Sequence, residues 1–253
     1  MKKTLILLFI LISYKTYSQT KTIHVYVALC DNEFQGIVPV PKKLGNGKDP
    51  YNNLYWGAAY GVKSFLKYKS KNWKLVAKLS TQNSNILERV LFKHISKDAY
   101  LLADAYDGEK IKNCTQDFLL ASNQQKKETI NFQSKTLSFG GTANLISYIG
   151  HDGLMEFNVN LNYQNTSPKK NDVIILACYS KHFFSDHIKK AGANPILWTT
   201  NLMAPEAYTL TAAVKGWLSN APASTIHEKV AKAYHKYQKC GLKGARNLFS
   251  VKF

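Results

Sequence analysis

The sequence predicts an α/β fold in which a mostly parallel β-sheet lies between helices on both faces. Short apolar runs rich in β-branched and aromatic residues alternate with longer segments of helical periodicity, which is typical of such sheets. Two runs, residues 145–150 and 172–177, are almost continuously apolar, as expected for strands buried on both faces. The 253 residues are 45% hydrophobic and no long Pro-, Gly- or Ser-rich linker divides them. We therefore expect one domain over residues 19–253.

Residues 1–18 have the pattern of a secretory signal peptide. Lys2 and Lys3 precede an apolar run over residues 5–12, and small residues stand at positions −3 and −1 before Gln19. The apolar run is shorter than half of the ~20 residues that a membrane-spanning helix needs, which favours a cleaved signal over a retained anchor. We therefore predict an exported protein, periplasmic or secreted, with no membrane span in the mature chain.

The basic charge of the chain comes almost entirely from lysine. Lys and Arg number 34 against 16 Asp and Glu, a formal net charge of +18, yet Arg89 and Arg246 are the only arginines. Proteins that grip phosphates or read base edges favour the planar fork of arginine. A solvated, lysine-rich surface is the favoured interpretation, and nucleic acid is not an expected partner.

The first half of the chain contains patterns for three strands and three helices. In order, the predicted elements are a strand at 23–30, a helix at 54–68, a strand at 73–79, a helix at 86–95, a strand at 99–105 and a helix at 110–121. A polar loop with Gly and Pro follows the first strand, and residues 124–135 are predicted to be a polar connection.

The second half contains the most apolar strands and the best-marked helices. In order, the predicted elements are a strand at 145–150, a short hairpin strand at 155–162, a strand at 172–177, a helix at 181–191, a strand at 195–200, a helix at 205–218 and a last helix that begins near Thr225. Gly192 is predicted to end the helix before it. Thr225 and Glu228 have capping-box spacing, and Gly241 is expected to stop the last helix.

A histidine and a cysteine directly follow the two most apolar strands. His151 comes after residues 145–150 and Cys178 after residues 172–177. Neighbouring strands lie about 4.8 Å apart, so the carboxyl ends of such a pair bring these side chains to one edge of the sheet. A cysteine must lose its proton before it attacks, and a nearby histidine can take that proton. We therefore predict Cys178 as nucleophile and His151 as general acid and base, with no cofactor.

These two blocks resemble the caspase-like superfamily of cysteine peptidases, which includes caspases, legumains, gingipains, clostripains and CHAT domains. Residues 146–153 (ISYIGHDG) are similar to its His-Gly block, and residues 173–180 (VIILACYS) to its Ala-Cys block. Residues 190–198 (KAGANPILW) are similar to the helix, turn and strand after the nucleophile in CHAT-type members. The resemblance implies a caspase-like three-layer sandwich and a peptide or protein substrate.

The sequence departs from the family at the turn after the histidine. The backbone N–H groups of Cys178, Asp152 and Gly153 are predicted to hold the oxyanion of an acyl-transfer reaction. Asp152 stands between His151 and Gly153, whereas the family usually has a glycine directly after the histidine. The short separation of His151 and Cys178 also leaves room for a hairpin rather than a packed crossover helix.

The resemblance also places a substrate pocket. In the family, the pocket is usually formed by loops after the first strand and after the strand that follows the nucleophile. On this sequence those positions are Asp31, Asn32, Thr199, Thr200 and Asn201. An acidic residue such as Asp31 would select Lys or Arg at the cleavage point, whereas neutral Thr and Asn would suit uncharged or Asn side chains.

Cys178 has two alternative roles that need no catalysis. It can be a small core residue, or it can form a disulfide with Cys30, which also ends a core strand. The four cysteines, which also include Cys114 and Cys240, permit three full pairings that spacing cannot distinguish.

The crevice itself also has alternative interpretations. Cys178, His182 and Asp186 are spaced i, i+4 and i+8, and with His151 they could ligate a transition metal, although this spacing matches no known signature and no metal is predicted. A non-catalytic binding module could use the same crevice to hold a peptide or small ligand, because fold and function are separable.

Overall fold

The computed structural model describes residues 20–253, and the predicted signal peptide at residues 1–18 lies outside this range. An eight-stranded sheet has the order β10-β9-β8-β7-β1-β4-β3-β2, and β5 and β6 form a separate hairpin. The strands are β1 Lys21–Ala28, β2 Trp73–Leu79, β3 Ile86–His94, β4 Ala99–Tyr106, β5 Lys127–Phe132, β6 Lys135–Gly140, β7 Leu145–Ile149, β8 Asp172–Leu176, β9 Asn194–Thr199 and β10 Phe249–Ser250. The helices are α1 Val62–Ser64, α2 Ile111–Ser122, α3 Ser180–Ala191, α4 Ala207–Trp217, α5 Ala223–Gln238 and α6 Leu242–Leu248.

The middle of the sheet is parallel and its margins are antiparallel. Strands β9, β8, β7, β1 and β4 run in one direction, whereas β3, β2 and β10 pair antiparallel with their neighbours. Parallel strands are normally covered on both faces, and β7 and β4 are buried along their whole length. The predicted α/β fold with a mostly parallel sheet is confirmed.

Alternating side chains of β1 show that the sheet is covered on both faces. Ile23, Val25 and Val27 pack in the cluster that contains α4 and α5. Tyr26 and Ala28 point the other way, into the cluster that contains α2 and α3. The β5–β6 hairpin extends this second layer over β3 and β4. The protein therefore has three layers, with the sheet in the middle.

Two predicted segments differ in type from the structure. Residues 86–95 were predicted to be helical but form β3, because the buried run of Val90, Leu91 and Phe92 fits either periodicity and its pairing with β2 and β4 decides the outcome. Residues 124–135 were predicted to be a connection but form β5 and the turn to β6. Along β5, every second residue is partly buried and the others are exposed, so the sequence has only a weak pattern of apolar residues there.

Several predicted elements begin or end at other residues than the sequence indicated. Only Val62–Ser64 and a following π-helical turn, Phe65–Lys69, are helical within the predicted helix at 54–68. The capping box was wrong, since Pro222 occupies the N-cap of α5 and Thr225 lies inside the helix. The predicted hairpin strand at 155–162 was wrong: in the described chain this segment follows the 3-10 turn Gly153–Met155 and forms no strand.

A glycine was predicted to end both α3 and α5, and this prediction holds only for α3. Gly192 adopts φ 67° after α3, as predicted for a helix-ending glycine. After α5, Lys239 takes the left-handed conformation instead, and Gly241 begins α6, a helix that the sequence did not predict.

Within residues 20–253, every helix is too short or too polar to cross a lipid bilayer. The carboxyl ends of β1, β7, β8 and β9 lie together at one edge, because these strands are parallel neighbours. The loops that leave this edge form the candidate site.

Candidate active site

His151 and Cys178 lie at the carboxyl ends of adjacent parallel strands. In the ladder, Ile149 of β7 is opposite Leu176 of β8, and the Gly150 N–H donates to the Leu176 carbonyl at 3.3 Å. His151 and Cys178 each stand two residues beyond this last pair, in the loops that leave the strands. Both side chains line one cavity of about 370 Å³. The structure therefore brings the two predicted residues to a common site.

Gly150 lets the chain turn sharply before His151. Its φ is 151°, and a Cβ at this position would lie 2.8 Å from the Ala28 carbonyl oxygen of β1. A side chain would have to displace β1 or β7, so the position requires glycine.

Glu156 holds the imidazole of His151. His151 is buried, and its Nε2 lies 2.6 Å from Glu156 Oε1. The same oxygen accepts the Gly36 N–H at 2.5 Å, and a Cβ at Gly36 would overlap the carboxylate. A carboxylate accepts hydrogen bonds, so Nε2 donates to Glu156, and Nδ1 is the ring nitrogen that remains for other contacts. Glu156 was not predicted, because residues 155–162 were interpreted as a hairpin strand rather than as the turn that follows His151.

Cys178 lies in the tight turn between β8 and α3. Tyr179, the N-cap of α3, has φ 48° and ψ 27°, a left-handed conformation that is uncommon for a residue with a side chain. Its N–H donates to the Asn201 carbonyl at 3.0 Å, which holds the turn against the loop after β9. Such conformations cluster at functional sites, because the surrounding structure has to maintain them.

The backbone N–H of Cys178 has no partner in any other described residue. The thiol sulfur accepts the Met203 N–H at 3.4 Å, and the Met203 carbonyl oxygen lies 3.6 Å from it. Apart from its own thiol sulfur, the Cys178 N–H has no acceptor among residues 20–253. That N–H can donate to a developing oxyanion, as the sequence predicts.

The surroundings of Cys178 disfavour its thiolate form. Burial raises the pKa of Cys178, the negative charge of Asp152 raises it further, and the Met203 N–H partly offsets both effects. Burial also raises the pKa of Asp152 to about 7, with a contribution from Glu156. Cys178 therefore differs from reactive cysteines with lowered pKa values, and its attack on a substrate needs a base.

The walls of the cavity are mainly aliphatic, and one carboxylate stands among them. The apolar lining residues are Ile37, Val38, Val40, Leu54, Tyr55, Met155, Leu202, Met203, Ala204 and Pro205. Glu206 also lines the cavity, and burial raises the pKa of its carboxyl. Gln238 Nε2 donates to Glu206 Oε2 at 3.2 Å, and none of the described residues provides a salt-bridge partner for Glu206. Sequence analysis missed Glu206, which has no distinctive neighbours in the chain.

Asp152 and Gly153 occupy a turn next to the cavity. Asp152 is fully buried, its Oδ1 accepts the Leu154 N–H at 3.0 Å, and its Oδ2 has no partner in the part of the chain that the structure describes. Gly153 packs under Phe157, whose ring a Cβ would overlap. Neither residue is among the described residues that line the cavity, whereas Cys178 is. The N–H of Cys178 is therefore the better candidate of the three predicted oxyanion donors.

Asp31 and Asn32 stabilise the loop after β1 instead of lining the cavity. Asp31 Oδ1 accepts the N–H groups of Glu33 and Phe34 at 2.8 and 3.2 Å. Asn32 bonds both backbone polar groups of Val40. Their effect on the site is indirect, because the loop they hold supplies the apolar wall that includes Val40.

Thr199, Thr200 and Asn201 have a similar supporting position after β9. Thr199 Oγ1 bonds Ser180 Oγ at 3.0 Å, and Thr200 Oγ1 donates to the Asn247 carbonyl at 2.8 Å. Asn201 Oδ1 accepts the Leu202 N–H at 2.8 Å. The next residues along the chain, rather than these three, line the cavity.

Two alternatives from the sequence are not supported. Cys30, Cys114, Cys178 and Cys240 are all free thiols, so Cys178 is not locked in a disulfide. His182 and Asp186 are exposed on α3, and no group of three potential metal ligands occurs within residues 20–253.

Comparisons of the chain with models of protein families, with curated proteins and with solved structures find no match. The function therefore has to be inferred from the residues and their geometry.

Proposed function

We propose that the chain is an exported cysteine peptidase, or a related acyl-transfer hydrolase, with a caspase-like fold. The observation that carries the proposal is the shared cavity of His151 and Cys178 at the ends of adjacent parallel strands. The orientation of His151 by Glu156 supports it further, as does the N–H of Cys178, which bonds no other described residue. The basic N-terminal segment before an apolar run supports export.

The groups present are sufficient for a balanced acyl-transfer reaction. His151 accepts the Cys178 thiol proton as the sulfur attacks the substrate carbonyl carbon and forms a C–S bond. The oxyanion accepts a hydrogen bond from the Cys178 N–H. When the C–N bond breaks, His151 returns the proton to the leaving amine. Water then hydrolyses the thioester, which releases the carboxylic acid and restores the thiol.

The proposed substrate has a basic side chain beside the bond that is cleaved. The aliphatic walls fit the methylene stem of Lys or Arg, and Glu206 supplies a carboxylate for which residues 20–253 provide no cationic partner. Glu206 is partly buried, and a partly desolvated carboxylate gains from an opposite charge that arrives with the substrate. In this proposal Glu206 selects basic side chains, which is one of the two specificities that the sequence left open and for which it offered Asp31.

A second candidate function is a non-catalytic binding module that uses the same cavity. The raised pKa of Cys178 favours it, since a protonated thiol is a poor nucleophile. The two functions differ in whether His151 increases the reactivity of Cys178.

Alkylation by iodoacetamide tests this difference. The exposed Cys240 would also react, so the experiment uses Cys240→Ser protein, in which Cys30 and Cys114 are buried. We expect His151→Ala to slow alkylation of Cys178 near pH 7.5 by at least about tenfold, because the base is lost. In that variant, the rate should rise with pH only above the usual thiol range near ~8.5, since the pKa of Cys178 is raised.

His182→Ala is the matched control, because it removes an exposed histidine of α3 and should leave the rate unchanged. Equal alkylation rates with and without His151 would contradict the peptidase and favour the binding module.

A further inference from the structure

Asp152 is a buried carboxyl group that no cation of the described chain neutralises. It follows His151 directly, at the N-cap of the 3-10 turn Gly153–Met155, and it is fully buried. Its Oδ1 accepts the Leu154 N–H at 3.0 Å, whereas Oδ2 has no hydrogen-bond partner among residues 20–253. No salt bridge within the same residues includes Asp152. Buried polar atoms normally have partners, so this orphaned oxygen calls for an explanation.

The turn that Asp152 caps carries Glu156 to His151. The Met155 N–H donates to the Asp152 carbonyl oxygen at 3.1 Å, and the Glu156 N–H donates to the Gly153 carbonyl oxygen at 3.0 Å. Beyond this turn, Glu156 Oε1 lies 2.6 Å from His151 Nε2. A side-chain oxygen at an N-cap satisfies an N–H group that the turn leaves unpaired, and it stabilises the turn. Asp152 therefore acts on His151 through Glu156.

The charge of Asp152 also acts on Cys178. Both residues stand in the loops after the adjacent parallel strands β7 and β8. The negative charge of Asp152 is one of the causes that raise the pKa of the Cys178 thiol, after burial. Because Asp152 is buried, water screens its charge less than it would screen a surface charge. An ionised Asp152 therefore opposes the thiolate form of Cys178, and a protonated Asp152 does not.

The surroundings of Asp152 provide negative charge and no ion pair. The titratable groups that interact with it by charge are Tyr148 of β7, Glu156 after the turn and Cys178 after β8. Helices α2 and α3 also pack against the turn, and within the described chain none of their titratable side chains bonds or pairs with Asp152. Lys112 of α2 and His182 of α3 are exposed. Burial, with the charge of Glu156, raises the pKa of Asp152 to about 7, so this carboxyl changes charge in the neutral range.

We infer that Asp152 is a positioning residue for the reaction of Cys178, and that its protonation state sets the pH range in which the thiol reacts. With its proton, Asp152 caps the turn and adds no charge near the thiol. Without the proton, it still caps the turn but opposes the thiolate. For hydrolysis the inference rests on the proposed function, whereas the effect on the thiol exists whether or not a peptide is cleaved.

The test compares Asp152→Asn with Asp152 in protein that also carries His151→Ala and Cys240→Ser. Asparagine keeps the side-chain oxygen that caps the turn but cannot ionise. Without His151, the rate of iodoacetamide alkylation follows the titration of the Cys178 thiol alone. We expect the ratio of the Asp152→Asn rate to the Asp152 rate to rise by at least about threefold between pH 6 and pH 8, because Asp152 ionises over this range and asparagine does not.

Asp107→Asn is the matched control in the same protein. Asp107 caps the 3-10 turn Gly108–Lys110 in the same way, since its Oδ1 accepts the Glu109 N–H at 3.0 Å. Its charge is not among those that act on Cys178. The corresponding rate ratio should stay constant between pH 6 and pH 8. A constant ratio for Asp152→Asn, or an equal rise for Asp107→Asn, would overturn the inference.

Hydrolysis of a lysine reporter by protein that retains His151 tests the effect on the turn. At pH 6, Asp152→Ala should have a kcat/KM at least about threefold below that of Asp152→Asn, because alanine lacks the capping oxygen. Equal values for the two variants would overturn the positioning of His151 through the turn. A protein that hydrolyses no reporter but shows the expected rise in alkylation would contradict the peptidase and support the effect of Asp152 on Cys178.

Discussion

Replacement of Cys178 by alanine is expected to reduce hydrolysis of lysine-containing peptide reporters by at least about 10³-fold, because no other group supplies the covalent step. The free energy of unfolding should change by only about 1 kcal/mol, since the side chain is small and partly exposed to the cavity. Reporter kinetics and denaturant unfolding of the same preparation measure both quantities.

Cys240→Ala is the matched control, because this thiol is exposed and lies far along the chain from the proposed nucleophile. It should leave activity and stability unchanged. If Cys178→Ala instead kept its activity and lost its folded structure, Cys178 would be a packing residue.

Glu206→Gln is expected to remove the preference for basic substrates. The amide nearly preserves shape but has no charge to pair with Lys or Arg, and charge pairs shielded from water are strong. The kcat/KM for reporters with Lys or Arg should fall by at least about tenfold, while that for reporters with Leu should be unchanged or rise. Because burial raises the pKa of Glu206, the preference of the wild-type protein should weaken as acidification protonates this carboxyl.

Glu228→Gln serves as the control for the charge change, since Glu228 pairs with Arg246 at the surface and does not line the cavity. A wild-type preference for Leu reporters, or an unaltered preference in Glu206→Gln, would contradict the assignment of Glu206.

The strand ends of the site could be predicted because their signal is local. The runs before His151 and Cys178 are apolar at nearly every position. Short runs of this kind are typical of central parallel strands, which are buried on both faces. In β3, by contrast, Val90, Leu91 and Phe92 suit a helix or a strand equally well. Pairing with β2 and β4 decides between them, and a local sequence pattern carries no information about that pairing.

The supporting residues of the site were not predictable for a related reason. Glu156 reaches His151 because the chain makes a 3-10 turn at Gly153–Met155. The amino-acid composition of this segment does not predict the turn. Gly36 completes that contact from the loop after β1, far away in sequence. Glu206 enters the cavity from the segment before α4. Each contact depends on tertiary structure rather than on local propensity.

Covalent trapping measures the cooperation of His151 and Cys178 most directly. The reagent is a peptidyl acyloxymethyl ketone with lysine beside the ketone, and the modified residue is identified by tandem mass spectrometry of wild-type, His151→Ala and Cys178→Ala protein. We expect one adduct on Cys178 in the wild type, much slower labelling in His151→Ala and none in Cys178→Ala. Labelling confined to the exposed Cys240, or labelling of Cys178 at the same rate without His151, would contradict a catalytic pair.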